Sequence, residues 1–231
     1  MKKKAVVLLS GGLDSATSLY WAKKRSYQLF PIVFHYGQRH KKEISAARRL
    51  AESVGADLKI INIEFAWKGS SLLDKSLPLP VASSAEAVGV NIPSTYVPGR
   101  NLIFLAYACS YAEAIGASYV LIGSNSVDFS GYPDCRPRFY GLLNSLVRIG
   151  TKAGVEGSPI KILTPLIHFS KANIVRLGTR LKVPYQLTWS CYAGGRKPCR
   201  KCDSCLLRAK GFAEAGIVDP LVAVYSCKKR K

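Results

Sequence analysis

Acidic side chains are scarce in this sequence. Fourteen Asp and Glu stand against 34 Lys and Arg, a formal charge of +20 over 231 residues. That imbalance raises nucleic acid as a partner, without showing whether the basic residues share one patch. Long hydrophobic runs are missing as well: no stretch approaches the ~18 apolar residues of a membrane span. The run Ala5 to Leu9 follows Lys2-Lys3-Lys4 and mimics a secretory leader. It is about half the length such a leader needs, and no small-x-small cleavage site follows it. A cytoplasmic protein with no membrane contact is therefore expected. Seven cysteines, an odd number, suit thiols and metal better than a complete disulfide framework. No internal repeat is visible. Two common nucleotide motifs are also absent: there is no Gly-Lys-Ser/Thr pair of a Walker A loop and no G-x-G-x-x-G fingerprint.

What is present describes a folded protein. Hydrophobic residues make up 48% of the chain, which excludes a disordered polycation. A chain of this length can bury on the order of 70% of its unfolded surface, and one domain with a small annex is expected. Ala5 to Leu9, Leu29 to Phe34, Leu58 to Ile63, Ser118 to Ile122 and Ile160 to Leu163 are short, nearly continuous apolar runs. Such runs suit strands buried on both faces. Helical spacing lies between them, over Asp14 to Lys24, Lys41 to Val54 and Asn101 to Ile115. Ile44, Ala47, Leu50, Ala51 and Val54 form the stripe of the second helix. Leu102, Leu105, Ala106, Cys109 and Ala112 form that of the third, which makes Cys109 a core residue. Alternating strands and helices predict an α/β fold with a doubly wound parallel sheet. Two stretches break the rhythm. Phe65 to Pro98, rich in Ser, Pro and Gly, is expected to be a functional or mobile loop. From Ser190 the sheet pattern stops and cysteines begin. The basic tail Cys227 to Lys231 is expected to fray.

The first strand runs into Ser10-Gly11-Gly12-Leu13-Asp14-Ser15 and then a helix. Glycines let the chain turn tightly and approach a ligand. A helix start offers unpaired N–H groups and partial positive charge, which hold phosphate. Ser15 adds a hydroxyl, and Asp14 can serve a Mg²⁺ ion carried by the phosphates. The plain alternative is a capped turn with no ligand. The six residues resemble the S-G-G-x-D-S pyrophosphate loop of the ATP pyrophosphatases, which adenylate an acyl or carbonyl oxygen.

Cys191, Cys199, Cys202 and Cys205 are spaced C-x7-C-x2-C-x2-C. Four thiolates so spaced can surround one Zn²⁺ and leave no open position, so the role is structural. An iron–sulfur cluster is the rival, and unlinked buried thiols are the plain alternative. Gly194, Gly195 and Pro198 supply the tight backbone. Arg196, Lys197, Arg200 and Lys201 offset the thiolate charge.

The segment Ser126 to Pro137 follows the fourth strand. Ligands of open α/β sheets bind beyond the carboxyl ends of strands, so it should face the glycine loop. Tyr132 or Phe129 can stack on a flat ring. Asp134 can accept from an exocyclic amine and a ring N–H, and Arg136 can bind a carboxylate or phosphate. A Gly-Pro turn with a surface ion pair reads equally well from these residues alone.

Together the three segments resemble the 7-cyano-7-deazaguanine synthase family. The likeness extends through Tyr36-Gly37-Gln38-Arg39-His40, Val97-Pro98-Gly99-Arg100-Asn101, Pro165-Leu166-Ile167-His168, Ser170-Lys171 and Val183-Pro184-Tyr185. Leu187 to Tyr192, Cys202-Asp203-Ser204-Cys205, Lys210-Gly211-Phe212 and Ala215-Gly216 complete it, in order and over nearly the whole chain. Two positions depart from the family pattern: His35 and Arg138 stand where an acid is usual.

The resemblance implies conversion of 7-carboxy-7-deazaguanine and ammonia to the nitrile, driven by ATP with Mg²⁺. It also implies a structural zinc in each subunit and a homodimer, with no obligate nucleic acid. A carboxylate is a poor electrophile with no good leaving group, so one activation should give an amide and a second the nitrile. The loop type favours AMP and pyrophosphate over ADP and phosphate. Residues 1–189 are expected to form the ATP-binding α/β domain, and 190–231 a cysteine-rich helical element packed on it. ATP is assigned to Leu9, Ser10, Gly11, Gly12, Leu13, Asp14, Ser15, Ala16, Thr17, Ser18 and Leu19. Asp14, Ser15 and Lys171 are the candidate catalytic residues. Arg100, Tyr132, Asp134 and Arg136 are the candidate substrate contacts. His40 and His168 fall in family blocks and read equally as structural or catalytic. Cys135 is either a covalent nucleophile or a small side chain lining the pocket. The rival functions are a related enzyme acting on a base within tRNA, which salt-dependent RNA binding would mark, and a zinc-ribbon module without catalysis. Anionic ligands account for part of the positive charge.

Overall fold

The apolar runs become five short strands in the computed structural model, which describes residues 2–81, 92–126 and 131–227. Phe129 and the tail beyond Cys227 lie outside the described residues. Strands β1 (Lys4–Leu8), β2 (Gln28–His35), β3 (Lys59–Asn62), β4 (Tyr119–Leu121) and β5 (Lys161–Leu163) form one sheet in the order β3-β2-β1-β4-β5. Every pairing is parallel, with Ala5 opposite both Leu29 and Tyr119. Parallel strands need crossovers, and helices supply them. These are α1 (Leu13–Lys24), α2 (Lys42–Glu52), α3 (Arg100–Ala114), α4 (Pro137–Gly150), the single turn α5 (Lys152–Val155) and α6 (Lys171–Arg180). Helices α7 (Asp203–Ala215) and α8 (Pro220–Cys227) follow. The doubly wound α/β expectation is met.

Strand side chains alternate between faces, which explains why β1 is apolar throughout. Val6 and Leu8 meet Phe104, Leu105 and Ala108 of α3 and Leu143 and Val147 of α4 on one face. Ala5 and Val7 meet Leu13, Ala16 and Leu19 of α1, Leu50 of α2 and Ile174 of α6 on the other. Cys109 is a core residue of the first layer. The three expected helices start and stop within one or two residues of the sequence-based limits. Sequence periodicity did not single out α4. It buries Tyr140, Leu143 and Val147 but exposes Leu142, Leu146 and Ile149, so apolar residues lie on both sides of it.

The Phe65 to Pro98 stretch is anchored where it is described. Leu72 and Val97 are buried, and Ser71 N donates to Ser94 O at 2.8 Å. The Arg39 guanidinium donates to the carbonyls of Ser71, Asp74 and Leu77.

The sheet order reverses between β1 and β4, and their carboxyl ends open the crevice in which such folds bind ligands. Gly123, just past β4, lies so close to α1 that a Cβ there would stand 2.8 Å from the Asp14 carbonyl and the Ser15 nitrogen. Both contacts are to backbone and cannot swing away. Gly123→Ala should therefore lower unfolding stability by about 1–3 kcal/mol. Gly141→Ala, in α4 with nothing within 4 Å of the new methyl, should be neutral or stabilising by up to about 1 kcal/mol. Urea denaturation of the two variants checks the contrast.

Candidate active site

A cleft of about 320 Å³ opens at the reversal point. Its floor is the loop that leaves β1. Gly11 has φ +86°, and a Cβ there would meet the backbone of α2 at Glu43 O and, at 2.9 Å, Ala47 N. Only glycine lets α2 and the loop come so close. Gly12 caps α1 with extended backbone and no side-chain cap, so the first N–H groups of the helix face the cleft without helical acceptors. Ser15 Oγ donates to Gly12 O and lies 3.1 Å from Ser10 Oγ. The loop is thus an anion cradle made of backbone donors and two hydroxyls.

Leu9, Ser10, Gly12, Leu13, Asp14 and Ser15 line the cleft. The remaining expected ATP residues do not. Ala16, Thr17, Ser18 and Leu19 are buried within α1 and absent from the cleft wall. Thr17 Oγ1 is instead bonded to the Tyr185 hydroxyl at 2.8 Å.

Lys171 arrives from α6, whose first turn is capped by Ser170 accepting from Asn173 N. Its ammonium contacts Asp14 Oδ2, which also accepts from Asn125 Nδ2 at 3.3 Å. Asp14 Oδ1 is buried with no hydrogen-bond partner among the described residues. An orphaned carboxylate oxygen beside a phosphate cradle fits a cation carried on a polyphosphate.

The far side of the cleft is aromatic. Tyr36, Phe104, Tyr132 and Tyr192 line it with Arg100. The Arg100 guanidinium lies 5.9 Å from the Tyr36 and Tyr132 ring centres. Burial holds the Tyr36, Tyr132 and Tyr192 phenols above their usual range against the pull of Arg100, so they stay protonated donors. Glu43, in the first turn of α2, also lines this region. Burial pushes its carboxyl up to about 7, opposed by Arg100.

Two of the expected substrate contacts lie elsewhere. Asp134 is buried but off the cleft wall, and its Oδ2 accepts from Asn101 N at 3.1 Å. That oxygen caps α3, while Asp134 Oδ1 is buried with no hydrogen-bond partner among the described residues. Arg136 is exposed at the start of α4. Cys135 does line the cleft, with Asn101 Nδ2 3.3 Å from its sulfur. Burial, with Asp134 nearby, pushes the thiol up to about 11. His40 lines the cleft, whereas His168 is exposed. Neither departure from the family pattern reaches the cleft. His35 pairs with Asn62 at 3.3 Å, and Arg138 is exposed.

Glu43 escaped the sequence reading, although a signal was there. It stands four residues before Ala47 and seven before Leu50, an acid in line with a buried stripe. Tyr36, Asn101 and Tyr192 lay inside the family blocks without an assigned role, and only the cleft geometry distinguishes them.

The four cysteines converge. The sulfurs of Cys191, Cys199, Cys202 and Cys205 all lie within 4.8 Å of one another. A tetrahedral thiolate site with metal–sulfur bonds of about 2.3 Å spaces its sulfurs about 3.8 Å apart, and Cys199 and Cys205 are already 3.9 Å apart. Hydrogen bonds from Cys202 and Cys205 hold the Cys191 thiol far below its usual range. The set fits one metal ion. It is also joined to the cradle: Trp189 N donates to Gly11 O, and Trp189 Nε1 donates to Cys191 O, both at 2.9 Å. Purified protein should carry one metal ion on this set, and Cys202→Ser should abolish it and lower the thermal midpoint. Elemental analysis and thermal unfolding check both, and a visible absorption band would identify an iron–sulfur cluster instead.

The chain matches the family model of "Queuosine biosynthesis protein QueC" over residues 4–216. It is 50% identical to the 7-cyano-7-deazaguanine synthase of Nostoc sp. over 224 residues, 96% of this chain and 98% of that protein. The protein of the same name from Picrophilus torridus is 48% identical, over 94% of this chain and 90% of its own. Among solved structures, the NMN synthetase of Francisella tularensis superposes with a TM-score of 0.48 at 15% identity, over 96% of this chain and 77% of that one. With the phosphate cradle, the aromatic cleft and the four-cysteine set in place, this chain belongs to the QueC family of queuosine biosynthesis proteins.

Proposed function

We propose that this chain makes 7-cyano-7-deazaguanine from 7-carboxy-7-deazaguanine, ammonia and ATP. The supporting observation is one cleft that joins a phosphate cradle at Ser10 to Ser15 with an aromatic slot at Tyr36, Phe104, Tyr132 and Tyr192. That arrangement suits a nucleotide and a flat base held side by side.

The chemistry needs two activations. A carboxylate oxygen attacks the α-phosphorus of ATP and pyrophosphate departs. Ammonia displaces AMP from the acyl carbon to give the amide. The amide oxygen then attacks the α-phosphorus of a second ATP, pyrophosphate departs again, and loss of AMP with both amide protons leaves the nitrile. The α1 N-terminus, Ser10 and Ser15 hold the charge that grows on the departing pyrophosphate. Lys171 moves from Asp14 to phosphate oxygens as they arrive. Asp14, with the phosphates, would hold Mg²⁺, which would supply charge neutralisation there. Cys191, Cys199, Cys202 and Cys205 hold a structural zinc, and the chain works as a homodimer in the cytoplasm. Residues 1–189 act as the ATP-binding domain and 190–231 as the element that braces it through Trp189.

Covalent catalysis by Cys135 is not part of this scheme. With its pKa near 11, about one thiol in ten thousand is ionised at neutral pH. Cys135→Ser should retain turnover within about tenfold, with no adduct visible by intact-protein mass. Lys171→Met should lower kcat by about 10²–10³.

The deciding experiment incubates the protein with ATP, Mg²⁺, ammonium and 7-carboxy-7-deazaguanine. Mass spectrometry should show the amide and then the nitrile, with AMP and pyrophosphate formed. ADP as the sole nucleotide product overturns the adenylation step, and absence of nitrile from folded, metal-loaded protein overturns the function.

A further inference from the structure

Two carboxylates line the cleft, and they are differently placed. Asp14 is engaged by Lys171 and Asn125. Glu43 has no hydrogen bond or ion pair among the described residues, although it sits among Tyr36, Tyr192 and Arg100. Its backbone is fixed, because the Glu43 carbonyl packs on Gly11. Half-buried at the cleft wall, its carboxylate is an acceptor without a donor of its own among the described residues, and a ligand can bring the donors.

The chemistry of those donors follows from the carboxylate. Ionised, it only accepts hydrogen bonds, through two oxygens side by side. The best match is a planar ligand edge with two adjacent N–H donors. A guanine-type base has that edge in its N1–H and 2-amino group. Adenine has a donor next to a ring nitrogen lone pair, which a carboxylate repels. The cleft wall around Glu43 is aromatic: Tyr36 and Phe104 meet edge to face with ring centres 5.4 Å apart, and such π-surfaces suit a flat base laid against them. Asp134 gives Oδ2 to the α3 N-terminus and keeps Oδ1 buried without a partner among the described residues, but it lies off the cleft wall that Glu43 lines.

We propose that Glu43 reads the N1–H and 2-amino edge of the deazaguanine, reserving the aromatic end of the cleft for that base and excluding adenine from it. The proposal rests on the function above and names how that site tells its two purine-like ligands apart.

The test compares 7-carboxy-7-deazaguanine with its 2-deamino analogue, 7-carboxy-7-deazahypoxanthine, on wild type and Glu43→Gln. Wild type should show a KM about 10–100-fold higher for the analogue, as expected for one lost charge-assisted hydrogen bond. Glu43→Gln should raise KM for the guanine-type substrate by a similar factor, leave the affinity for ATP unchanged, and remove the preference between the two bases. Glu43→Asp should restore part of that preference. An equal loss on both bases shows a structural role and overturns the proposal. A fall in kcat on both bases at unchanged KM shows proton transfer to or from ammonia and overturns it too. Should the variants not fold, wild type alone decides, because indifference to the 2-amino group overturns it. Should wild type form no nitrile, the proposed function fails separately, and calorimetric binding of the two bases still tests Glu43.

Discussion

Backbone meets backbone at two glycines, and the cleft depends on that approach. At Gly11 the loop leaving β1 lies against the first turns of α2. At Gly123 the chain leaving β4 lies against the start of α1. A single methyl at either place would push a helix away from the sheet, because neither contact ends in a flexible side chain. The helix start that forms the cradle is therefore pinned from two sides. Its N–H groups can face an anion only because they are not free to turn back into the fold.

Charge is distributed across the cleft in the same directed way. Lys171 and Asp14 meet at the glycine-loop end, in contact with each other. Arg100 stands at the aromatic end between two phenols, and Glu43 faces the same space. The four-cysteine set is joined to the glycine loop, since Trp189 bonds both Gly11 and Cys191. Arg208 reinforces the same stretch. It holds Asp219 through two bonds of 2.7 and 2.8 Å and reaches the Thr188 hydroxyl at 2.7 Å. Breaking such a buried pair on one side costs about 3–5 kcal/mol, so the approach to the cysteines is rigid.

Much of this was legible before any coordinates. The apolar runs named all five strands, because parallel strands covered on both faces have no polar positions to hide them. The S-G-G-x-D-S loop and the four cysteines carry their meaning in local spacing. The helix α4 was not legible, because its exposed Leu142, Leu146 and Ile149 blur the period. Of the four expected substrate contacts, Asp134 for the base edge and Arg136 for a carboxylate sit on a loop that sequence order places beside the crevice. In the fold one caps α3 and the other faces solvent. The positive charge, so prominent in composition, identified no site.

The sequence by itself determined the fold class, the phosphate cradle and the cysteine set, since each is written in residues close together along the chain. Only the tertiary structure decided that Glu43 joins Asp14 on the cleft wall while Asp134 does not. Glu43, Tyr36, Arg100 and Tyr192 come from separate elements, and their meeting depends on how α2 and α3 pack across the sheet. Spacing along a chain reports hydrogen bonds and periodicity within an element. The direction of a carboxylate is set by packing between elements, and no local pattern records it.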